Sequence, residues 1–173
     1  DLLVNARNPV IMMGRVKRGE DGWDQRIKLA ELLGAGVVTD MKTAASFPTD
    51  HPLHLSPPGN RPRAEAEAEI KTADVILDLN WIDLAGTFKL IFGNSEVPAK
   101  VIHVSVDSLL HNGWSSDHMG MPLGDVTMLA ECEPVVDQLL AACESRLDGK
   151  SKWDGKNKGR TAEIDGKLSD YDE

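Results

Sequence analysis

The feature that most constrains this chain is the run Pro9-Val-Ile-Met-Met13, closed by Gly14. It is apolar at every position, so it does not alternate as a half-solvated strand would. A run of this length with no polar face belongs to a strand covered on both sides, the usual condition of a parallel sheet. Three further runs read as strands, each with polar residues among the apolar ones: Val37-Val-Thr39, Asp74-Val-Ile-Leu-Asp-Leu79 and Lys100-Val-Ile-His-Val-Ser-Val106. Helical stretches separate them. From Trp23 to Leu33 apolar residues recur at helical spacing, and Gly34 stands where a C-terminal glycine belongs. Asp21 or Asp24 is the expected cap of that helix. Arg63 to Thr72 alternates Ala and Glu, which are strong helix formers and poor strand formers, so propensity predicts a helix. Asn60 with Pro62 marks its expected start.

The rest of the chain is read in the same way. Five prolines between positions 48 and 62 predict a loop. Leu84 to Phe92 is a weaker helix, Met121 to Asp125 a short edge strand, and Val126 to Leu147 a long helix with Pro134 near its first turn. The expected fold is α/β: a doubly wound, mainly parallel sheet of five or six strands with helices on both faces. One domain spans residues 1–147. Residues 148–173 are polar and glycine-rich and are expected to form a linker or tail.

Composition narrows the function. The chain has 173 residues, with 19 Lys and Arg against 28 Asp and Glu, for a net charge of −9. That balance argues against nucleic acid or an anionic membrane as partner. No apolar run approaches the roughly 20 residues that span a bilayer. The start, Asp1-Leu-Leu-Val4, has no signal-peptide pattern and no initiating Met, so the chain reads as a segment of a longer protein. Cys132 and Cys143 lie too far apart along one helix to bond and read as buried thiols in a reducing, cytoplasmic setting.

In an open parallel sheet, ligands sit at the carboxyl ends of the strands. The residues there are Gly14, Arg15, Lys17 and Arg18 after the first strand and Asp40 and Lys42 after the second. Asn80, Trp81 and Asp83 follow the third, and Asp107 the fourth. A glycine that admits a phosphate, an arginine to hold it and an acid to accept from ribose describe a nucleotide-shaped site. A solvated basic turn is the alternative reading of the same loop, since neither G-x-G-x-x-G nor a P-loop is present. Metal chemistry is not indicated. His51 and His54 are separated by a proline, His111 and His118 lack zinc-site spacing, and His103 reads as a hydrogen-bonded strand residue. The segment from Asp154 imitates a calcium loop but places Lys156 and Lys158 where oxygens are needed. No serine stands in a nucleophile motif.

One ordered set of blocks goes further. Asn8-Pro-Val-Ile-Met-Met-Gly14, Leu29-Ala-Glu-Leu-Leu-Gly34, Val37-Val-Thr39, Phe47-Pro-Thr-Asp-His-Pro-Leu53 with Gly59, Ala73-Asp-Val-Ile-Leu77, Ala99-Lys-Val-Ile-His-Val-Ser-Val-Asp107 and Gly124-Asp125 follow in sequence. Together they resemble the central domain of thiamine diphosphate-dependent enzymes of the acetolactate synthase and benzoylformate decarboxylase type, over about residues 3–147. The resemblance implies a non-catalytic middle domain. Its partners would be flanking domains of the same chain, which hold thiamine diphosphate and Mg2+, in a parent enzyme that forms a homo-oligomer and acts on a 2-keto acid or a related substrate. The alternatives are a free-standing module for ADP, FAD or NAD and a purely structural docking domain.

Carried over by position, cofactor contacts would come from Gly14, Arg15, Gly59, Asn80 and Asp107. Flavin-binding members have a glycine and an arginine after the third strand, where this chain reads Asp78-Leu-Asn-Trp81. No tightly held flavin is therefore expected, and an ADP-type site stays open. No catalytic residue and no metal ligand is assigned within the chain.

Overall fold

The computed structural model describes residues 1–107, 120–121 and 124–156. Five strands, β1 (Pro9–Met13), β2 (Gly36–Thr39), β3 (Val75–Leu79), β4 (Lys100–Ser105) and β5 (Val126–Leu129), form one sheet in the order β2-β1-β3-β4-β5. Every neighbouring pair is parallel. Five helices complete these residues: α1 (Leu2–Asn5), α2 (Glu20–Leu33), α3 (Ala64–Thr72), α4 (Leu84–Phe92) and α5 (Cys132–Arg146).

The layers follow from the alternation of side chains along buried strands. Ile11, Met13, Leu77, Leu79, Ile102 and Val104 point to one face, where Leu29, Leu33, Val136 and Leu140 of α2 and α5 cover them. Val10, Met12, Ile76 and Val101 point to the other, beneath Ala66 and Ile70 of α3 and Phe88 and Ile91 of α4. β1 and β3 are buried at all positions, β1 as an unbroken apolar run and β3 with Asp78 buried among its apolar residues. Gly34 ends α2 in the left-handed conformation (φ 60°), and a side chain there would stand 3.2 Å from the Lys152 carbonyl.

Several local expectations are corrected. Helix α2 begins a turn early, with Gly19 at its N-cap, so Asp21 and Asp24 lie inside the helix and cap nothing. Helix α3 starts at Ala64, with Arg63 at its N-cap position and no side-chain cap, rather than at Asn60. The long helix expected from Val126 is a strand followed by a helix. Val126–Leu129 pairs with β4, and α5 starts only at Cys132, with Pro134 in its first turn. The edge strand therefore lies after Asp125. That carboxylate accepts from Val101 N (2.9 Å) and from Lys100 Nζ (2.6 Å), which fixes the strand's point of arrival.

The chain does not leave the domain at Leu147. Lys152 N donates to Leu32 O (2.9 Å), Lys152 Nζ donates to the carbonyls of Val4 and Ala6, and Trp153 packs against the core beside His51.

Candidate functional site

The carboxyl ends of β1, β3 and β4 bring four of the expected residues together. Arg15 Nη2 donates to Asn80 Oδ1 (2.6 Å) and to the Asp107 carboxylate. Ser105 Oγ donates to the same Asn80 oxygen (2.9 Å) and accepts from Asp107 N (3.0 Å). Asn80 itself is left-handed (φ 57°), which turns the chain sharply after β3. Gly14 has a clear reason to be glycine. A Cβ there would lie 2.2 Å from Asn80 O and 2.5 Å from Trp81 Cα. The space that the sequence suggested for a phosphate holds protein backbone. Gly14 N donates to Leu79 O (3.0 Å) and Arg15 N to Asn80 O (2.9 Å), extending the β1–β3 ladder past the strand ends. In a sheet of this order the ligand crevice is expected between β1 and β3. Here that seam is zipped shut. Gly59 lies apart from this network. Its missing side chain makes room for Arg61 O (3.0 Å), and its neighbour Asn60 reaches a different opening.

That opening is a cavity of about 230 Å3 at the ends of β2 and β3, beside α4, and Asp40, Lys42, Asn60, Trp81 and Leu90 are among its walls. Asp40 is buried, and burial raises its carboxyl above the usual range, against the pull of Lys42. Beneath the same layer Asp78 and His103 sit side by side in register on β3 and β4. Asp78 accepts from His103 Nδ1 and from Trp81 N (2.8 Å). Burial pushes the Asp78 carboxyl up, and the His103 hydrogen bond opposes it. His103 is thus the hydrogen-bonded strand histidine that its flanks suggested.

On the opposite face Arg26 is only 1% exposed. It donates to Ser46 O (2.9 Å) and to Glu133 (3.2 Å), which also accepts from Lys17 N. Burial lowers its pKa, and Glu133 works in the other direction. Sequence reading missed this pair because its members are more than a hundred residues apart. Cys132 and Cys143 are both buried and free. Burial, reinforced by the charge of Glu133, pushes the Cys132 thiol up to about 12, so it stays protonated and unreactive.

The loop histidines also have structural partners. His54 Nε2 meets Thr39 Oγ1 (2.9 Å), and His51 Nε2 meets Glu31 (3.3 Å). His111, His118 and the end of the calcium-like segment lie outside the described residues. Among the described residues, no group of three His, Cys, Asp or Glu is placed to hold a metal ion.

A profile of the family described as "Thiamine pyrophosphate enzyme, central domain" matches residues 1–121. The chain belongs to that family. Among relatives of this central domain, acetolactate synthase of Mycobacterium bovis is 38% identical over 143 residues, 81% of this chain and 21% of its own length. Sulfoacetaldehyde acetyltransferase of Castellaniella defragrans is 30% identical over 148 residues, 83% of this chain and 24% of its own length. The central domain therefore spans between a fifth and a quarter of these curated relatives.

Solved structures show the same fold. Benzoylformate decarboxylase from Polynucleobacter necessarius superposes with a TM-score of 0.55 at 19% identity, over 80% of this chain and 25% of that one. A thiamine diphosphate-dependent 4-hydroxybenzoylformate decarboxylase of Rhodococcus jostii gives 0.51 at 20% identity, over the same shares.

The residues of this central domain do not fit the cofactor that the family name implies. A magnesium diphosphate needs free carboxylate oxygens. Gly124-Asp125 is not the magnesium motif of the flanking domain, and Asp125 is committed to Lys100 and Val101 through both of its oxygens.

Proposed function

We propose that the chain is the non-catalytic central domain of a thiamine diphosphate-dependent decarboxylase or carboligase that acts on a 2-keto acid or a related substrate. Its partners in this reading are flanking domains of the same polypeptide, which bind thiamine diphosphate and Mg2+, in a parent that assembles as a homo-oligomer. When bound, the cofactor supplies a thiazolium carbanion that adds to a carbonyl. This domain's own residues hold the chain segments on either side of it in fixed places.

One observation supports this reading most: the closed seam between β1 and β3. Arg15, Asn80, Ser105 and Asp107 bond to one another, and Gly14 is filled by the Asn80–Trp81 backbone. Such a network ties the ends of β1, β3 and β4 together and engages Arg15 Nη2 and Asn80 Oδ1, while Arg15 Nε keeps no partner among the described residues. The Lys152 contacts with Val4 and Ala6 also tie the beginning of the domain to its end.

Isothermal titration of the purified chain with thiamine diphosphate and Mg2+ tests the reading. No binding heat is expected. Stoichiometric binding would overturn it.

A further inference from the structure

A second cavity, of about 230 Å3, lies between the starts of α2 and α5, and Arg26 and Glu133 are among its walls. Arg26 is 1% exposed, and its guanidinium is held through Nε by Ser46 O and through Nη1 by Glu133. Nη2 has no partner among the described residues. A buried cationic donor without an acceptor is costly, and a ligand that brings an oxygen removes that cost. Gly22, in the first turn of α2, keeps the approach to this pair clear. A Cβ there would stand 3.0 Å from Arg26 Nη1 and 3.5 Å from Glu133 Cγ. The helix start adds further donors. Gly19 at the N-cap makes no side-chain cap bond, so the N–H groups of the first turn of α2 keep their pull on an acceptor.

The acids around the same cavity make the opposite demand. Glu133 takes both Arg26 Nη1 and Lys17 N on Oε1, which leaves Oε2 for a further donor. Glu20, Asp21 and Asp137 add three more carboxylates, against Lys17 and Arg26 as the only cations of the lining. That excess of acid repels a free anion such as phosphate. A simple cation is drawn to the carboxylates but leaves Nη2 without an acceptor. A ligand that carries a carboxylate and an ammonium on neighbouring atoms answers both.

We propose that this cavity binds a small α-amino acid as its zwitterion. The carboxylate accepts from Arg26 Nη2 and from the N–H groups at the start of α2, and the ammonium donates to Glu133 and Asp137. The site goes beyond the structural role proposed above and uses none of the residues of the closed seam.

Titration of the 15N-labelled chain with L-alanine, propionate, ethylammonium and inorganic phosphate tests it. L-alanine is expected to shift the amides of residues 20–22 and of Glu133. Propionate lacks the ammonium and ethylammonium lacks the carboxylate, and each should bind roughly tenfold more weakly, the loss of a hydrogen bond to a charged group. Phosphate should bind more weakly than L-alanine. Gly22→Ala closes the approach with one methyl while favouring the helix, so the variant should fold and should weaken L-alanine by a similar factor. Asp137 is exposed, so Asp137→Asn leaves the core intact and should weaken it by a smaller factor. Three results would overturn the proposal: no shift at millimolar L-alanine, binding of propionate, ethylammonium or phosphate as tight as that of L-alanine, or unchanged binding by Gly22→Ala.

Discussion

At the amino ends of the strands, charged side chains bond to backbone. Asp74 accepts from Arg7 N (2.6 Å) and Asn8 N (3.0 Å), Asp125 from Val101 N (2.9 Å), and Lys152 donates to the Val4 and Ala6 carbonyls. At the carboxyl ends, Asp40, Asp78 and Ser105 accept from backbone too, but a network between side chains is added: Arg15 to Asn80 and Asp107, Ser105 to Asn80, His103 to Asp78. The first arrangement satisfies main-chain groups that would otherwise be stranded, and it sets where each strand begins. The second is a polar layer, and among the described residues cavities open at Asp40 and between the starts of α2 and α5. Only the partners of these side chains distinguish a framing role from a surface that can receive a ligand.

The sharpest way to break this comparison is Gly14→Ala. The new methyl would meet the Asn80 and Trp81 backbone at 2.2 and 2.5 Å, and backbone cannot swing aside as a flexible side chain can. A loss of about 3 kcal/mol, at the upper end for overpacking, is expected from urea unfolding. If Gly14→Ala were neutral, the seam would be open enough to admit a ligand.

Trp153→Ala probes the opposite end. The indole is half-buried beside His51 and packed on the main core, and its Nε1 donates to Lys156 O (2.8 Å). Its removal should cost about 2 kcal/mol, less than a fully buried aromatic, measured by the same unfolding. It should also speed proteolysis after residue 150. An unchanged proteolysis rate would show that the segment is held without it.

Asp74→Asn is the gentlest test and carries a pH signature. Burial works to raise the Asp74 carboxyl, but hydrogen bonds from Arg7 and Asn8 and the nearby backbone outweigh it, so the folded pKa is lowered. The folded state therefore favours the ionised form. The stabilisation is complete above the unfolded value of about 3.9 and is lost as pH falls through the folded one. The variant should be less stable by about 1 kcal/mol near neutrality, a figure discounted for solvent screening. The gap to wild type should close on acidification below about pH 4. A gap that stayed constant with pH would remove the carboxylate from the account.

The two ends were not equally legible in the sequence. The strands of the centre were, because Pro9–Met13 is apolar throughout and Val75–Leu79 is apolar but for Asp78, and such runs are buried on both faces. Helix α4 and the glycine cap of α2 were legible for similarly local reasons. β5 was not. Val126–Leu129 is largely exposed at the sheet edge, so its pattern carries no burial signal and reads on into α5. The cap of α2 was misread because Gly19 leaves no side chain to recognise.

At the candidate site, Arg15, Asn80 and Asp107 could be placed together because each directly follows a strand. That they would bond to one another depends on distances that no spacing encodes. Gly14 shows the limit best. The sequence marks a position where nothing larger than hydrogen fits, and it does not say whether a phosphate or a neighbouring loop fills the room.

The central claim is that this domain frames a catalyst whose chemistry lies outside it. Exchange of the thiazolium C2 proton of thiamine diphosphate into D2O, followed by NMR with Mg2+ and the purified chain, measures the activating step without any choice of substrate. The account predicts the rate seen in buffer alone. Acceleration that scales with the concentration of the chain would contradict it.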